Sequence, residues 1–258
     1  MNTFQFFMYN CSLTWKMQRN ELPLKVFIST FAIRIIFQAL FFVWVVGVIG
    51  GDRMKEFALY GNMLIPAVHI LLIDIYNILK DEIDEQRLDL LTITKSSLLS
   101  ILIGRSIVYF LKSVLIIIFT YIVISSLLID GFGHWYYFLT ALPLIIIFAL
   151  SAYALGIFIA SINVNQKISE MLPNIMLSLL ILMGNFTIPI ENLPTFLQVV
   201  SHFLPLGHIV SAFRSYMVEG IPYWTNPTFY LEIPIMLIYL LFGYGLYLYS
   251  VKRMRKAQ

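Results

Sequence analysis

The sequence predicts an all-α membrane protein with six transmembrane helices. Hydrophobic residues make up 60% of the 258-residue chain and charged residues only 12%, whereas a soluble domain carries about 25% charged residues. A soluble core of this size could not bury so many apolar side chains, so lipid must surround part of the protein. Because no polar stretch exceeds roughly 25 residues, we expect one transmembrane domain over residues 1–258 and no separate soluble domain.

Residues 1–22 predict an amphipathic helix that lies in the membrane interface. At helical spacing, one face carries Phe4, Phe7, Met8, Cys11 and Trp15, and polar residues occupy the other faces. Pro23 is expected to end this helix before the first span. A disordered tail is the alternative interpretation. Cys11 is the single cysteine of the chain, which rules out an internal disulfide.

Six segments are apolar over the length that a spanning helix needs, about 20 residues. They are residues 26–48, 57–79, 101–128, 135–162, 171–190 and 229–251. The third and fourth exceed this length, so we expect them to tilt or to extend beyond the hydrocarbon. Pro189 and Pro194 are expected to end the fifth span. Residues 191–220 then predict short re-entrant helices, over 195–203 and 208–218, on the outer side.

The positions of Lys and Arg predict the orientation of these spans. With the N-terminus inside, twelve of the 17 basic residues fall on the cytoplasmic side. The outer side receives only Arg53, Lys55 and Arg214. We therefore expect a multi-pass protein of the cytoplasmic membrane, inner or single, with both termini in the cytoplasm.

Three charged residues lie inside the predicted spans, where ionisable groups are costly and often functional. Arg34, Asp74 and Lys112 are predicted at a similar depth in the inner leaflet, and Gln38 lies one turn beyond Arg34. These four residues are candidates for the lining of a substrate pathway. The alternative is that Arg34 and Lys112 extend independently to the lipid headgroups.

Residues 81–95, between the second and third spans, form the longest charge-rich segment. Acidic residues lie at its start, where a helix N-terminus is partially positive. Ile83, Arg87, Leu90 and Leu91 follow the spacing i, i+4, i+7 and i+8. This pattern is typical of a short amphipathic helix that contacts a protein partner. A solvated loop is the alternative interpretation.

This segment resembles the first cytoplasmic loop of ABC-2 type transporter permeases. The core of Leu88, Asp89, Leu90 and Leu91 matches the Leu-Glu-Leu-Leu of the family, and Thr94 and Ser97 match its Thr-Pro-x-Ser, whereas the Gly, Thr and Pro of the family pattern are replaced. The resemblance implies that residues 81–95 are a coupling helix in a groove of an ATPase subunit. It assigns this contact to Ile83, Arg87, Leu88, Asp89, Leu90 and Leu91.

A second region is similar to a signature of the same family. Gly184, Pro189, Leu193, Pro194 and Leu197 fit its Gly-x-x-x-x-Pro-x-x-x-Leu-Pro-x-x-Leu pattern. The similarity continues through Pro205 and Arg214 to Gly220. The resemblance implies an outer gate that contains Gly184, Pro189, Pro194, Pro205 and Arg214.

The sequence contains no Gly-x-x-x-x-Gly-Lys-Ser/Thr phosphate loop, so we expect ATP and Mg to bind to a separate subunit. The resemblance implies two copies of an ABC ATPase, and a second copy of this chain or a related permease. We expect no catalytic residues, metal or nucleic acid, and His202 and His208 alone make a poor metal site. The expected substrate is amphipathic, such as a peptide toxin, a bacteriocin or a lipophilic drug.

Three alternative functions differ in what they require of the sequence. Export of a lipid-linked glycan or another lipid is the alternative within the same family. An intramembrane enzyme would need a nucleophile and base or a metal motif, but neither His-Glu-x-x-His nor Gly-x-Ser-x-Gly occurs. A channel or secondary transporter that works without ATP is the third, and it should run equally well without a nucleotide-binding partner.

Overall fold

The computed structural model describes residues 3–21, 33–84, 98–128, 135–166 and 171–257, and these residues are mostly helical, with no strand among them. The described α-helices are α1 (Thr3–Glu21), α2 (Ile33–Asn62), α3 (Ile65–Asp84), α4 (Leu98–Leu128), α5 (Trp135–Thr140), α6 (Leu142–Gln166), α7 (Met171–Met183), α8 (Thr195–Phe203), α9 (Gly207–Glu219) and α10 (Pro227–Ala257). Short 3-10 helices lie at Ile190–Asn192 and Tyr223–Thr225. The predicted all-α class is confirmed for this part of the chain.

Four helical stretches within the described ranges are long and apolar enough to cross a membrane. They are Met54–Ile78, Ile103–Ser126, Leu142–Ile162 and Pro227–Ser250. Helices α8 and α9, which meet at an angle of 92°, make a fifth if the bent pair is one span. The predicted multi-pass architecture is therefore present, and the count of six spans stays a prediction.

The fifth predicted span is shorter in the structure than in the sequence pattern. Helix α7 ends at Met183 instead of residue 190, so it has 13 residues and a length of about 20 Å at 1.5 Å per residue. The hydrocarbon core of a bilayer is about 30 Å thick. Residues 26–32 of the first predicted span lie outside the described residues, and the described part of this span belongs to an apolar helix over Ile36–Gly51. Helices α8 and α9 have nearly the bounds predicted for this region, and their re-entrant arrangement stays a prediction.

The second predicted span is divided between α2 and α3. Helix α2 bends at Gly51, whose φ of 74° suits glycine, and then continues to Asn62. A turn follows, in which the Leu64 amide donates to the Gly61 carbonyl over 3.1 Å. Pro66 lies in the first turn of α3, where its missing N–H removes no helical hydrogen bond. The break therefore lies where proline starts a new helix, a boundary that apolar composition alone does not show.

Helix α6 is the central helix, and it packs against α3, α4 and α10. Glycines bring its neighbours close, because a Cβ atom at Gly156 would lie 2.5 Å from the Leu71 carbonyl oxygen of α3. At Gly243 of α10, a Cβ atom would lie 2.9 Å from the Phe158 amide nitrogen of α6. Small residues at helix contacts are typical of membrane proteins, since they allow close van der Waals packing.

Hydroxyl groups also join the helices around α6. The Tyr153 hydroxyl of α6 lies 2.9 Å from the Ser106 hydroxyl of α4 and 3.0 Å from the Tyr244 hydroxyl of α10. One hydrogen-bonded chain thus crosses three helices. The polar atoms of these side chains satisfy one another inside an otherwise apolar core.

Helix α1 packs on α4 through a face that mixes polar and apolar residues. Asn10 and Thr14 are buried, and the Cys11 thiol donates to the Gly104 carbonyl over 3.0 Å. Burial raises the pKa of this thiol, although a backbone hydrogen bond acts in the opposite direction. Met8 and Trp15, from the predicted apolar face, are exposed and free to contact lipid. A helix is present over Thr3–Glu21, and its amphipathic character and its location in the membrane interface stay predictions.

Candidate functional site

Helices α3 and α4 bring two of the predicted pathway residues together. The Lys112 ammonium lies 3.0 Å from Oδ2 of Asp74, and the two side chains are 17% and 22% exposed. The ammonium also lies 5.7 Å from the centre of the Tyr109 ring. An opposite charge at this distance reduces the cost of holding each group among apolar helices. This contact, the Asp74–Lys112 pair, joins α3 to α4.

The other two predicted pathway residues lie on α2. Gln38 is partly buried, and the side chain of Arg34 lies outside the described part of the structure. Among the predicted pathway residues, Asp74 and Lys112 contact each other in the described part of the structure, and a third member at Arg34 stays a prediction.

The predicted coupling segment is only partly covered by the structure. Ile83 belongs to the last turn of α3, which ends at Asp84, although the position of its side chain is outside the description. Arg87, Leu88, Asp89, Leu90 and Leu91 lie outside the described residues. The described part of this segment is thus a continuation of a membrane helix.

The prolines of the second signature shape the connections around α8. Pro189 precedes the 3-10 helix, Pro194 precedes α8, and Pro205 lies in the turn between α8 and α9. Gly184 begins the irregular segment after α7, and a Cβ atom there would lie 2.5 Å from the Leu180 carbonyl oxygen. We call residues 184–188 the signature turn. The Ser201 hydroxyl donates to the Met183 carbonyl and fastens α8 to the end of α7.

Arg214 of α9 is buried, with only 8% of its surface exposed. Its guanidinium donates from Nε to the Phe57 carbonyl over 3.1 Å, and from Nη2 to the Asn185 carbonyl over 2.7 Å. The Phe186 carbonyl accepts a longer bond of 3.4 Å from Nη2. The guanidinium carbon also lies 3.3 Å from the centre of the Phe57 ring. Arg214 therefore joins α9, α2 and the signature turn.

The signature turn can approach α2 because residue 61 is a glycine. A Cβ atom at Gly61 would lie 1.8 Å from the Phe186 carbonyl oxygen, a distance that no side chain allows. Asn185 has a positive φ of 61°, so its backbone turns sharply at this point. The carbonyls of this turn are not paired in a helix, and the planar guanidinium supplies donors for them.

Glu232 of α10 is a buried charged residue that was not anticipated from the sequence. It is fully buried, and its Oε1 accepts hydrogen bonds from the Ser151 hydroxyl and, over 2.8 Å, from the Leu206 amide. Leu206 has a positive φ of 82° and immediately precedes α9. Glu232 therefore joins α10 and α6 to the start of α9. Its position inside the predicted sixth span was itself a signal, since charges there are rare.

His202 and His208 lie on either side of the bend between α8 and α9. Their rings stack with centres 5.7 Å apart, and Nε2 of His208 lies 3.1 Å from the His202 carbonyl oxygen. In the described ranges, no group of three or more His, Cys, Asp or Glu side chains could hold a metal ion. The two rings thus pack within the bend.

Comparisons with known proteins agree with this geometry. The family model described as ABC-2 type transporter matches residues 6–218, which include α1 through most of α9. Nodulation protein J of Rhizobium leguminosarum bv. viciae is 26% identical over 88 residues. The aligned region covers 34% of this chain and 34% of that protein, so only about a third of this relative is matched.

Proposed function

Because this chain belongs to the ABC-2 type transporter family, we propose that it is the transmembrane subunit of an ATP-driven exporter. Its substrate is amphipathic, such as a peptide toxin, a bacteriocin or a lipophilic drug, and it leaves across the cytoplasmic membrane. The observation that carries the proposal is the family match, which includes both residues 81–95 and the signature turn. Membrane components of this family work in transport and have no ATPase site of their own.

The proposed partner is a separate ABC ATPase, present in two copies, that binds ATP and Mg. The missing phosphate loop in this sequence supports a separate motor. Its proposed contact is the coupling segment 81–95, through Ile83 and the residues from Arg87 to Leu91. Because α3 is one helix from Ile65 to Asp84, a push on this segment would be transmitted to the Asp74–Lys112 pair. A second copy of this chain, or a related permease, completes the pathway.

The proposed pathway runs from the pair to the bent helices α8 and α9. Arg34, Gln38, Asp74 and Lys112 line its inner part, and the signature turn with Arg214 belongs to the outer gate. Two observations support this division. The side chains of the Asp74–Lys112 pair are partly exposed and therefore accessible. Arg214 and Glu232 are buried and bind irregular backbone. Inside a membrane, such backbone is tolerated only against protein or a water-filled cavity.

A coupling variant tests the proposal. Leu90→Asp places a charge on the predicted apolar contact face, so it should reduce copurification of the coexpressed ABC ATPase and abolish ATP-driven efflux. Thr92→Asp adds the same charge at a polar position on the opposite side of the predicted helix and should leave both unchanged. If the ATPase copurifies undiminished with Leu90→Asp and efflux persists, the segment is not the coupling helix. Efflux that is equal without any ATPase would indicate a channel instead.

A further inference from the structure

The signature turn and α2 meet through backbone atoms, since the Phe186 carbonyl oxygen lies where a Cβ atom of residue 61 would be, and Gly61 has none. We call this contact the seam. We propose that the outer gate opens at the seam, so that α2 separates from the signature turn and water and the polar part of the substrate enter between them. The inference rests on the proposed export function and adds the place at which the gate opens.

Side chains on both sides of the seam bury polar atoms that lack hydrogen-bond partners. Asn62 of α2 is 3% exposed, and Asn185 and Thr187 of the signature turn are each 6% exposed. Among the described atoms, neither the two amide oxygens nor the Thr187 hydroxyl has a partner. A buried polar atom without a partner costs free energy in this conformation. Water in an opened seam would supply the missing partners, so opening removes this cost.

Buried hydroxyl groups of α4 are paired instead. Those of Ser113 and Thr120 each donate over 2.7 Å to a carbonyl of the preceding helical turn. Thr187 lies beyond the end of α7 at Met183, so its hydroxyl has no helical carbonyl in that position. The unpartnered atoms therefore belong to the irregular backbone at the seam. A contact with such atoms opens at a lower cost in free energy than a contact between fully paired helices.

Arg214 crosses the seam and holds its two sides together. Its Nε donates to the Phe57 carbonyl of α2, and its Nη2 donates to the Asn185 carbonyl of the signature turn. The turn is also held on α6, because the Phe186 ring packs edge to face on the Phe148 ring with centres 6.2 Å apart. Release of the bond between Arg214 and Phe57 therefore lets α2 move away while the turn stays on α6.

Labelling of Thr187→Cys with MTSET, a charged, water-soluble thiol reagent, tests the proposal without an ATPase. The variant is made in a Cys11→Ser background and purified into nanodiscs. Gly61→Ala places a methyl group in the seam and should raise the labelling rate at least about tenfold, because the rate follows the population of the open seam. Gly156→Ala is the matched control, since its Cβ atom would lie 2.5 Å from the Leu71 carbonyl oxygen. It should leave the rate within about twofold.

A second arm measures the same labelling during turnover, with Gly61 unchanged. In nanodiscs that contain the copurified ABC ATPase, ATP should raise the labelling rate of Thr187→Cys at least about tenfold above the rate with ADP. Thr120→Cys is the control, because Thr120 is a buried residue of α4 whose hydroxyl is paired. It should stay unlabelled with both nucleotides. Hydrolysis of ATP is measured in the same sample.

The two arms separate failure of the seam from failure of the export proposal. The seam is overturned if Thr187→Cys is labelled no faster with Gly61→Ala than with Gly156→Ala, or if ATP is hydrolysed and its labelling rate stays the same. Equal acceleration at Thr120→Cys also overturns it, because the whole chain then loosens. If no ATP is hydrolysed, the export proposal fails, and the comparison of the two glycine variants alone decides the seam.

Discussion

The Asp74–Lys112 pair and the region of the bent helices α8 and α9 hold buried ionisable side chains in different ways. In the pair, two side chains neutralise each other over 3.0 Å and keep 22% and 17% of their surfaces exposed. In the bent-helix region, Arg214 is 8% exposed and Glu232 fully buried, and both bind backbone groups. An ionisable side chain among membrane helices can thus be held by an opposite charge or by hydrogen bonds to irregular backbone.

The difference follows from the local backbone. Helices α3 and α4 satisfy their own amides and carbonyls, so a charge on them needs another side chain. The signature turn and the residue before α9 leave carbonyl and amide groups without helical partners. Arg214 supplies hydrogen-bond donors to the carbonyls of the signature turn, and Glu232 supplies an acceptor to the Leu206 amide before α9. We therefore regard these two residues as anchors of the bent helices and the pair as a contact that can exchange partners.

The largest loss of unfolding free energy is expected from Arg214→Met. It removes the donors to Phe57 and to the signature turn, and each buried carbonyl left without a partner costs about 1–3 kcal/mol, so the free energy of unfolding should fall by about 2–4 kcal/mol. Thermal unfolding of the purified chain in detergent measures the change. Lys55→Met is the matched control, because it removes a partly buried cation of α2 and should cost much less. Equal losses for both variants would mean that Arg214 is not an anchor.

A smaller loss of unfolding free energy is expected when Glu232 is replaced. Glu232→Leu deprives the Leu206 amide of its acceptor and should cost about 1–3 kcal/mol of unfolding free energy. Glu232→Gln keeps an acceptor oxygen for Leu206 and Ser151, so its loss should stay below about 1 kcal/mol. The same unfolding assay compares the two variants. If the Gln variant is as unstable as the Leu variant, hydrogen bonding to Leu206 and Ser151 is not what Glu232 contributes.

A still smaller effect is expected from Asp74→Asn, which strands the Lys112 ammonium. Because both side chains are partly exposed, the loss should be about 1–2 kcal/mol, between the values for exposed and buried pairs. Adding Arg34→Gln tests the predicted third member. Recovery of more than about 0.5 kcal/mol in this double variant would place Arg34 in the network, and additivity would exclude it.

Much of this architecture could be predicted from composition and spacing. The all-α class, the helix at the N-terminus and the helices on either side of Pro205 follow from apolar length and proline positions. Charges in apolar segments identified Asp74 and Lys112, because such residues need partners. The predicted family is confirmed by the match over residues 6–218.

Other features depend on contacts between distant segments, which spacing does not show. Arg214 was assigned to the outer loops as a basic residue, but its role depends on carbonyls 29 and 157 residues away in sequence. Glu232 binds Leu206 because the backbone before α9 has a positive φ. The break of the second predicted span at Pro66 follows from backbone hydrogen bonding and not from hydropathy.

Two double-mutant cycles, measured as the free energy of unfolding, test most directly whether a buried ionisable side chain is held by an opposite charge or by backbone groups. The first combines Asp74→Asn with Lys112→Gln, and the second combines Arg214→Gln with Glu191→Gln, since Glu191 is the carboxylate that acts on Arg214 electrostatically. We expect a coupling of at least about 1 kcal/mol in the first cycle, because removing Lys112 relieves the stranded charge. We expect additivity within about 0.5 kcal/mol in the second, because the partners of Arg214 are backbone carbonyls. Additivity in the first cycle together with strong coupling in the second would contradict the account.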